Sequence, residues 1–151
     1  MIVAGIDPGK SGAIAIIDDK LNVILLVDMP TTNESYVSVI KNNRYKPDKT
    51  FIEDVHALPK QSSVAGFTFG KNVGKAELIA EAMGNVCLVS PSKWKKELGL
   101  IKKEGETKVQ HKHRSIELAK KLFKELDKQL TASKDGRAEA LLIAYYGIKQ
   151  K

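Results

Sequence analysis

Apolar residues in the first part of the chain form three short runs separated by turn residues. The runs cover residues 2–7, 12–18 and 23–29, and the segments between them are Pro-Gly-Lys-Ser-Gly and Asp-Lys-Leu-Asn. Short connections rich in glycine, proline and asparagine are typical of consecutive antiparallel strands. The pattern therefore predicts a three-stranded antiparallel meander at the start of the fold.

Helix-like and strand-like patterns alternate after the meander. Asn33 is a candidate N-cap for a helix that reaches about residue 45, and a short strand follows at 50–53. Residues 62–83 show the pattern of a long helix that the Gly-Asn pair at 84 and 85 ends. Residues 86–89 then form the fifth predicted strand.

Three helices are predicted in the C-terminal part. Ser90 and Pro91 begin a short one, and a basic loop at 99–105 precedes a helix from about 107 to 130. The apolar face of that helix is predicted to consist of Val109, Ile116, Ala119, Phe123, Leu126 and Leu130. A row of lysines is predicted on another face, formed by Lys120, Lys124 and Lys128. Asp135 or Gly136 opens the last helix. The order predicts one α/β domain over residues 1–151, with a mixed five-stranded sheet flanked by helices.

Acidic residues stand where these core elements end or begin. Asp7 closes the first apolar run, Glu53 closes the fourth strand, and Asp135 and Glu139 lie four apart at the start of the last helix. Carboxylates are costly to bury unless they are paired or bind a cation. Because carboxylate oxygens suit hard divalent ions, the set predicts a Mg²⁺ or Mn²⁺ site.

The charge of the chain is unevenly distributed. The net charge is +7, and residues 90–130 hold 12 lysines and arginines against 6 acids, which is +6 of that total. Such a block favours a nucleic-acid partner, and a solvated helix face is the alternative. No apolar run approaches the roughly 20 residues that cross a bilayer, and the single cysteine cannot form an internal disulfide. We therefore expect a cytoplasmic protein without a membrane partner.

Taken together, the motifs resemble the RuvC-type Holliday junction resolvases of the ribonuclease H-like superfamily. The resemblance covers nearly the whole chain and rests on the following segments: Gly5-Ile6-Asp7-Pro8-Gly9, Ile52-Glu53-Asp54-Val55, Ser90-Pro91-Ser92-Lys93, Thr107-Lys108-Val109-Gln110-His111, and Ala138-Glu139-Ala140-Leu141 with Ile143-Ala144. The small size is similar to that of phage-encoded members, whose place of action would be the host cytoplasm.

The resemblance implies a metal-dependent endonuclease that nicks four-way junctions and other branched DNA symmetrically. It implies two Mg²⁺ ions per site, with Mn²⁺ able to substitute. Asp7 would bind both ions, Glu53 would complete one site, and Asp135 with Glu139 would complete the other. Lys108 matches the catalytic lysine of the family, and a generic phosphate contact is the other interpretation.

The resemblance also implies a DNA-binding surface, with some departures. The expected contacts to the DNA backbone are Lys93, Lys95, Lys96, Lys102, Lys103, Lys108, Lys112 and Arg114. His56 stands where a bacterial member has an aromatic wedge, and it either stacks on a base or is exposed. The family usually has two aspartates three apart on its last helix, whereas Gly136 lies three before Glu139 here. Trp94 is expected in the core.

A glycine stripe in the predicted 62–83 helix suggests close approach by another backbone. Gly66, Gly70 and Gly74 are four apart, and each interior glycine costs about 1 kcal/mol relative to alanine. Since the family members are homodimers, we predict a dimer interface formed by Gly66, Phe67, Phe69, Gly70, Val73 and Gly74. The alternative is that the stripe packs on the protein's own sheet.

Two other functions are compatible with these motifs. One is a catalytically silent protein that binds branched DNA, and the other is a related nuclease that acts on RNA/DNA hybrids. A silent binder has no need to hold mutually repelling carboxylates, so the complete acidic set favours the nuclease.

Overall fold

A single five-stranded sheet organises the fold. The computed structural model describes residues 1–42, 44–56 and 62–150. The strands are β1 (Ile2–Asp7), β2 (Ala13–Asp18), β3 (Val23–Asp28), β4 (Lys49–Glu53) and β5 (Val86–Val89), in the spatial order β3-β2-β1-β4-β5. β1 to β3 form the predicted antiparallel meander, and β4 and β5 continue the sheet in parallel with β1. The mixed five-stranded sheet is confirmed.

Five α-helices flank the sheet in the described part of the chain. They are α1 (Asn33–Lys41), α2 (Ser63–Met83), α3 (Pro91–Glu97), α4 (Lys108–Leu122) and α5 (Asp135–Lys149). Helix α1 differs from its prediction at both ends, because the N-cap is Thr32 and the helix ends at Lys41 rather than near residue 45. The Thr32 hydroxyl accepts the backbone N–H of Ser35 in a capping box, which satisfies a donor of the first turn. None of the described helices is long and apolar enough to cross a membrane.

Alternate residues of the central strands pack on opposite faces of the sheet. Val3, Ala13 and Phe51 join a core with α4 and α5, whereas Ala4 and Ile52 join a second core with α1 and α2. Since side chains alternate along a strand, Asp7 and Glu53 belong to the α5 side, together with Val3 and Phe51. The pleat of the sheet thus points both acids toward α5.

Helix α5 is buried around most of its circumference and lies directly on β1. Leu141, Leu142 and Ala144 are inaccessible to solvent. A Cβ added to Gly5 would lie 2.2 Å from the carbonyl oxygen of Ala140, so the backbones of strand and helix are in contact. A helix that is apolar on all sides belongs in a core. This packing fixes the position of the acids in the first turns of α5.

The predicted helix 107–130 is shorter than expected. α4 ends at Leu122, and a 3₁₀ segment at Lys124–Gln129 follows. Phe123 breaks the helix with φ −122° and ψ 66°, and its side chain is fully buried. The predicted lysine row of Lys120, Lys124 and Lys128 therefore does not lie on one helix. Val109 is also not in the core, because it is 76% exposed.

Candidate active site

Asp7 lies at the centre of an acidic cluster at one edge of the sheet. It ends β1 beside Glu53, which ends the parallel neighbour β4, since the two strands pair up to Ile6 and Ile52. The pKa of Asp7 is raised from 3.8 to about 7, mainly by burial and in addition by the charges of Glu139, Glu53 and Asp135. The backbone N–H of Gly9 donates to Asp7 Oδ1 at 3.0 Å and opposes that rise. The four predicted acids are thus electrostatically coupled.

Glu53 is a buried carboxylate that accepts a hydrogen bond from a buried tryptophan. It is 8% exposed, and the indole N–H of Trp94 donates to its Oε1 at 2.8 Å. Burial raises the pKa of Glu53, and the negative charge of Glu139 acts in the same direction. The bond from Trp94 and the positive charge of Lys95 oppose the rise.

The two acids of α5 are each paired with a lysine from another helix. Lys95 Nζ on α3 lies 3.1 Å from Glu139 Oε1, and Lys112 Nζ on α4 lies 2.5 Å from Asp135 Oδ2. The hydrogen bond to Asp135 raises the pKa of Lys112, and the charges of Asp135, Glu139 and Asp7 contribute in the same direction. The sequence interpretation treated both lysines only as DNA contacts, whereas they touch the acidic cluster.

Lys108 lies one helical turn before Lys112. It is the exposed first residue of α4, and its role stays a prediction. The four-residue spacing places Lys108 and Lys112 on one side of the helix, but it does not determine which of them pairs with Asp135. The contact between Trp94 and an acid also has a signal in the sequence, because the indole N–H of a tryptophan expected in the core requires a hydrogen-bond acceptor.

The close approach between α5 and the turn after β1 explains the unusual spacing of the acids. A Cβ at Gly136 would lie 2.1 Å from the carbonyl oxygen of Ser11 and 2.7 Å from the Cα of Gly12. Position 136 therefore has no room for a side chain. The first acid of α5 is at Asp135, four residues before Glu139, and it remains coupled to Asp7.

The donor set fits a hard divalent cation in its chemistry, but its oxygens are not arranged around a common point. Among the described residues, no three His, Cys, Asp or Glu side chains form a ready ligand group. Each acid instead has its own partner: Gly9 for Asp7, Trp94 for Glu53, and a lysine for each acid of α5. Repelling carboxylates are expected to take such separate partners until a cation draws them together.

Several of the predicted DNA-binding residues are exposed to solvent. Lys93, Lys96, Lys102 and Lys103 are exposed, and the His56 side chain is 81% exposed, 3.6 Å from Asp54. Arg114 differs, because its guanidinium is bonded within the chain. It pairs with both carboxylate oxygens of Glu106 at 2.6 and 3.0 Å. It also donates to the carbonyl oxygens of Gly99 and Ile101, so it holds the basic loop in place.

The glycine stripe lies on an open face of α2. An added Cβ at Gly66, Gly70 or Gly74 would meet no described atom within 4 Å. Phe67 beside it is 74% exposed, and Phe69 and Val73 are partly exposed. Gly74 also lines a groove together with Ile52 and Leu88 of the sheet, so the alternative that the stripe faces the protein's own sheet stays open. The dimer interface stays a prediction.

Comparisons with known proteins identify the fold but give no sequence-level relative. No protein-family model and no curated protein matches the chain. Two solved structures that match are Thermus thermophilus RuvC and T. thermophilus RuvC in complex with Holliday junction substrate. Each is 18% identical with a TM-score of 0.65, over 97% of this chain and 92% of that chain. This chain therefore has the ribonuclease H-like fold of the RuvC Holliday junction resolvases.

Proposed function

We propose that this chain is a divalent-metal-dependent endonuclease that binds four-way and other branched DNA and nicks it symmetrically. The observation that carries the proposal is the meeting of four carboxylates from β1, β4 and α5 beside two lysines, in a fold shared with RuvC. One of those RuvC structures contains a Holliday junction, which is the substrate class we propose here. Such an activity would serve DNA recombination and repair.

Mg²⁺ would be held by Asp7, Glu53, Asp135 and Glu139, with Mn²⁺ as a substitute. When bound, such ions would supply charge stabilisation and an activated water for phosphodiester hydrolysis. Asp7 is central, because its charge couples to the other three acids. Ionised Asp7 is costly in its buried position, and a cation at this point would remove that cost.

Lys95 and Lys112 have two successive roles in this mechanism. Before metal binds, their ammonium groups balance the carboxylates of Glu139 and Asp135. With a cation held by those carboxylates, both ammonium groups would be free to contact the scissile phosphate. A fixed positive charge there would stabilise the charge that develops during attack. Lys108, on the exposed start of α4, would contact the phosphate or the adjoining DNA backbone.

DNA would lie along the basic surface next to the acids. The exposed lysines of α3 and of the loop at 99–105 would contact phosphates without reading sequence. A homodimer formed through the open face of α2 would supply two active sites for paired nicks on opposite strands.

The test is cleavage of an end-labelled synthetic four-way junction in Mg²⁺. Wild type is expected to give paired symmetric nicks with 5′ phosphates, and Asp7→Asn is expected to bind the junction without cutting it. Asp54→Asn is the matched control, since it changes the neighbour of Glu53, and it should cut normally. Binding without cutting by wild type, in Mg²⁺ or Mn²⁺, would support a silent binder instead. Preferred cutting of an RNA/DNA hybrid in competition would indicate the related nuclease.

A further inference from the structure

Trp94 joins the buried core to the acidic cluster. It is the only tryptophan of the chain and is fully buried. It lies on the short helix α3, and its indole N–H donates to Glu53 Oε1 at 2.8 Å. The next residue, Lys95, bonds Glu139 and places its Nζ 4.9 Å from the centre of the Trp94 ring. Two consecutive residues of α3 thus hold the two glutamates of the cluster.

The bond from Trp94 restrains Glu53 more firmly than a surface contact would. Both partners are enclosed, so each would be left without a hydrogen-bond partner if this bond opened without replacement. An indole also has only one donor and a rigid ring, which fixes the direction of the bond. The indole engages one carboxylate oxygen and so sets the orientation of the whole carboxylate.

We propose that Trp94 is a positioning residue that holds the Glu53 carboxylate in the orientation needed to bind the divalent metal. The inference rests on the proposed function, because it assigns a partner to one of the proposed metal ligands. Partners that orient a metal ligand typically change metal affinity or activity 10- to 100-fold when they are removed. Loss of the Trp94 N–H is expected to lower metal affinity by a factor in that range. Trp94 would act through Glu53, without touching the metal or the DNA.

The test measures Mn²⁺ affinity of the DNA-free protein by isothermal titration calorimetry. Trp94→Phe removes the N–H and keeps an aromatic ring, and it is expected to weaken binding about 10- to 100-fold. Phe123→Leu is the control, because Phe123 is fully buried in the same core and has no bond to the acids. It should lower the melting temperature and leave the Mn²⁺ affinity unchanged.

A second replacement separates the hydrogen bond from packing. Because the chain has one tryptophan, benzothienylalanine can be incorporated at position 94 alone, where it substitutes sulfur for the N–H in a ring of nearly the same shape. It is expected to weaken Mn²⁺ binding as Trp94→Phe does. If either the Trp94→Phe protein or the benzothienylalanine protein binds Mn²⁺ as tightly as wild type does, the inference is overturned and the nuclease proposal stands. Equal weakening in Phe123→Leu would also overturn it, and absence of Mn²⁺ binding by wild type would overturn both proposals.

Discussion

The buried charge of Asp7 predicts that a substitution in the acidic cluster stabilises the metal-free protein. The pKa of Asp7 is raised from 3.8 to about 7, mainly because the carboxylate is buried. Folded Asp7 therefore holds its proton more tightly than unfolded Asp7 does. Its contribution to stability is complete below pH 3.8, falls as the pH rises toward 7, and is lost above that value.

The size of the effect follows from the two pKa values. Each tenfold change in proton affinity corresponds to about 1.4 kcal/mol, so the ionised carboxylate destabilises the fold by about 4 kcal/mol above pH 7. Asn has the same shape as Asp, and its amide oxygen can still accept the Gly9 N–H. The Asp7→Asn protein should thus unfold at a higher temperature than wild type at pH 8. For a domain of this size we expect a melting temperature higher by roughly 5–15 °C.

Thermal unfolding in EDTA at pH 4, 6 and 8 is the assay. The difference between Asp7→Asn and wild type should be large at pH 8, smaller at pH 6 and close to zero at pH 4. Asp54→Asn serves as control, since Asp54 lies outside the cluster and its substitution should give no such trend. Mg²⁺ at pH 8 should raise the melting temperature of wild type and not that of Asp7→Asn. A difference that is the same at pH 4 and pH 8, or a less stable Asp7→Asn at pH 8, would refute the reasoning.

Three further predictions test the lysines, the basic loop and the open face of α2. Lys112→Met should slow single-turnover junction cleavage more than tenfold and by more than Lys108→Met does, because Lys112 pairs with Asp135 of the acidic cluster; equal effects would contradict this assignment. Arg114→Lys should speed amide hydrogen exchange in residues 99–106, since lysine cannot replace the two-point contact with Glu106; unchanged exchange would argue against that role. Gly70→Leu should give monomers in sedimentation velocity with an unchanged melting temperature, and a retained dimer would place the interface elsewhere.

The sheet and the strand-end acids were predictable because local sequence carries their signal. Strands buried on both faces read as continuous apolar runs, and β1 and β2 show this pattern, whereas β4 has only the apolar pair Phe51 and Ile52 before its acid. An acid directly after such a run must lie at the end of a strand. Asp7 and Glu53 could thus be assigned to the carboxyl ends of strands from sequence. The parallel pairing of β1 and β4 brings those two strand ends together.

Details that depend on packing between distant segments were not predictable in this way. The apolar spacing continues past Leu122, so sequence alone predicted one helix to residue 130. The chain instead turns at Phe123 to bury that ring, and a 3₁₀ segment reaches the same core positions at Leu126 and Leu130. The choice of Lys112 over Lys108 as partner of Asp135 likewise depends on how α4 packs on α5, which spacing within α4 does not determine.

The spacing of the acids on α5 shows how backbone packing can determine the composition of a site. α5 begins against the turn after β1, and the Cα of Gly12 would be 2.7 Å from a Cβ at position 136. The first turn of α5, which contains this contact, also carries Asp135, whose charge acts on Asp7. A carboxylate three residues before Glu139 is therefore incompatible with this packing, and Asp135 is the nearest position that can supply one. The departure from the usual three-residue spacing is a consequence of the close approach that assembles the site, and the four coupled carboxylates are retained.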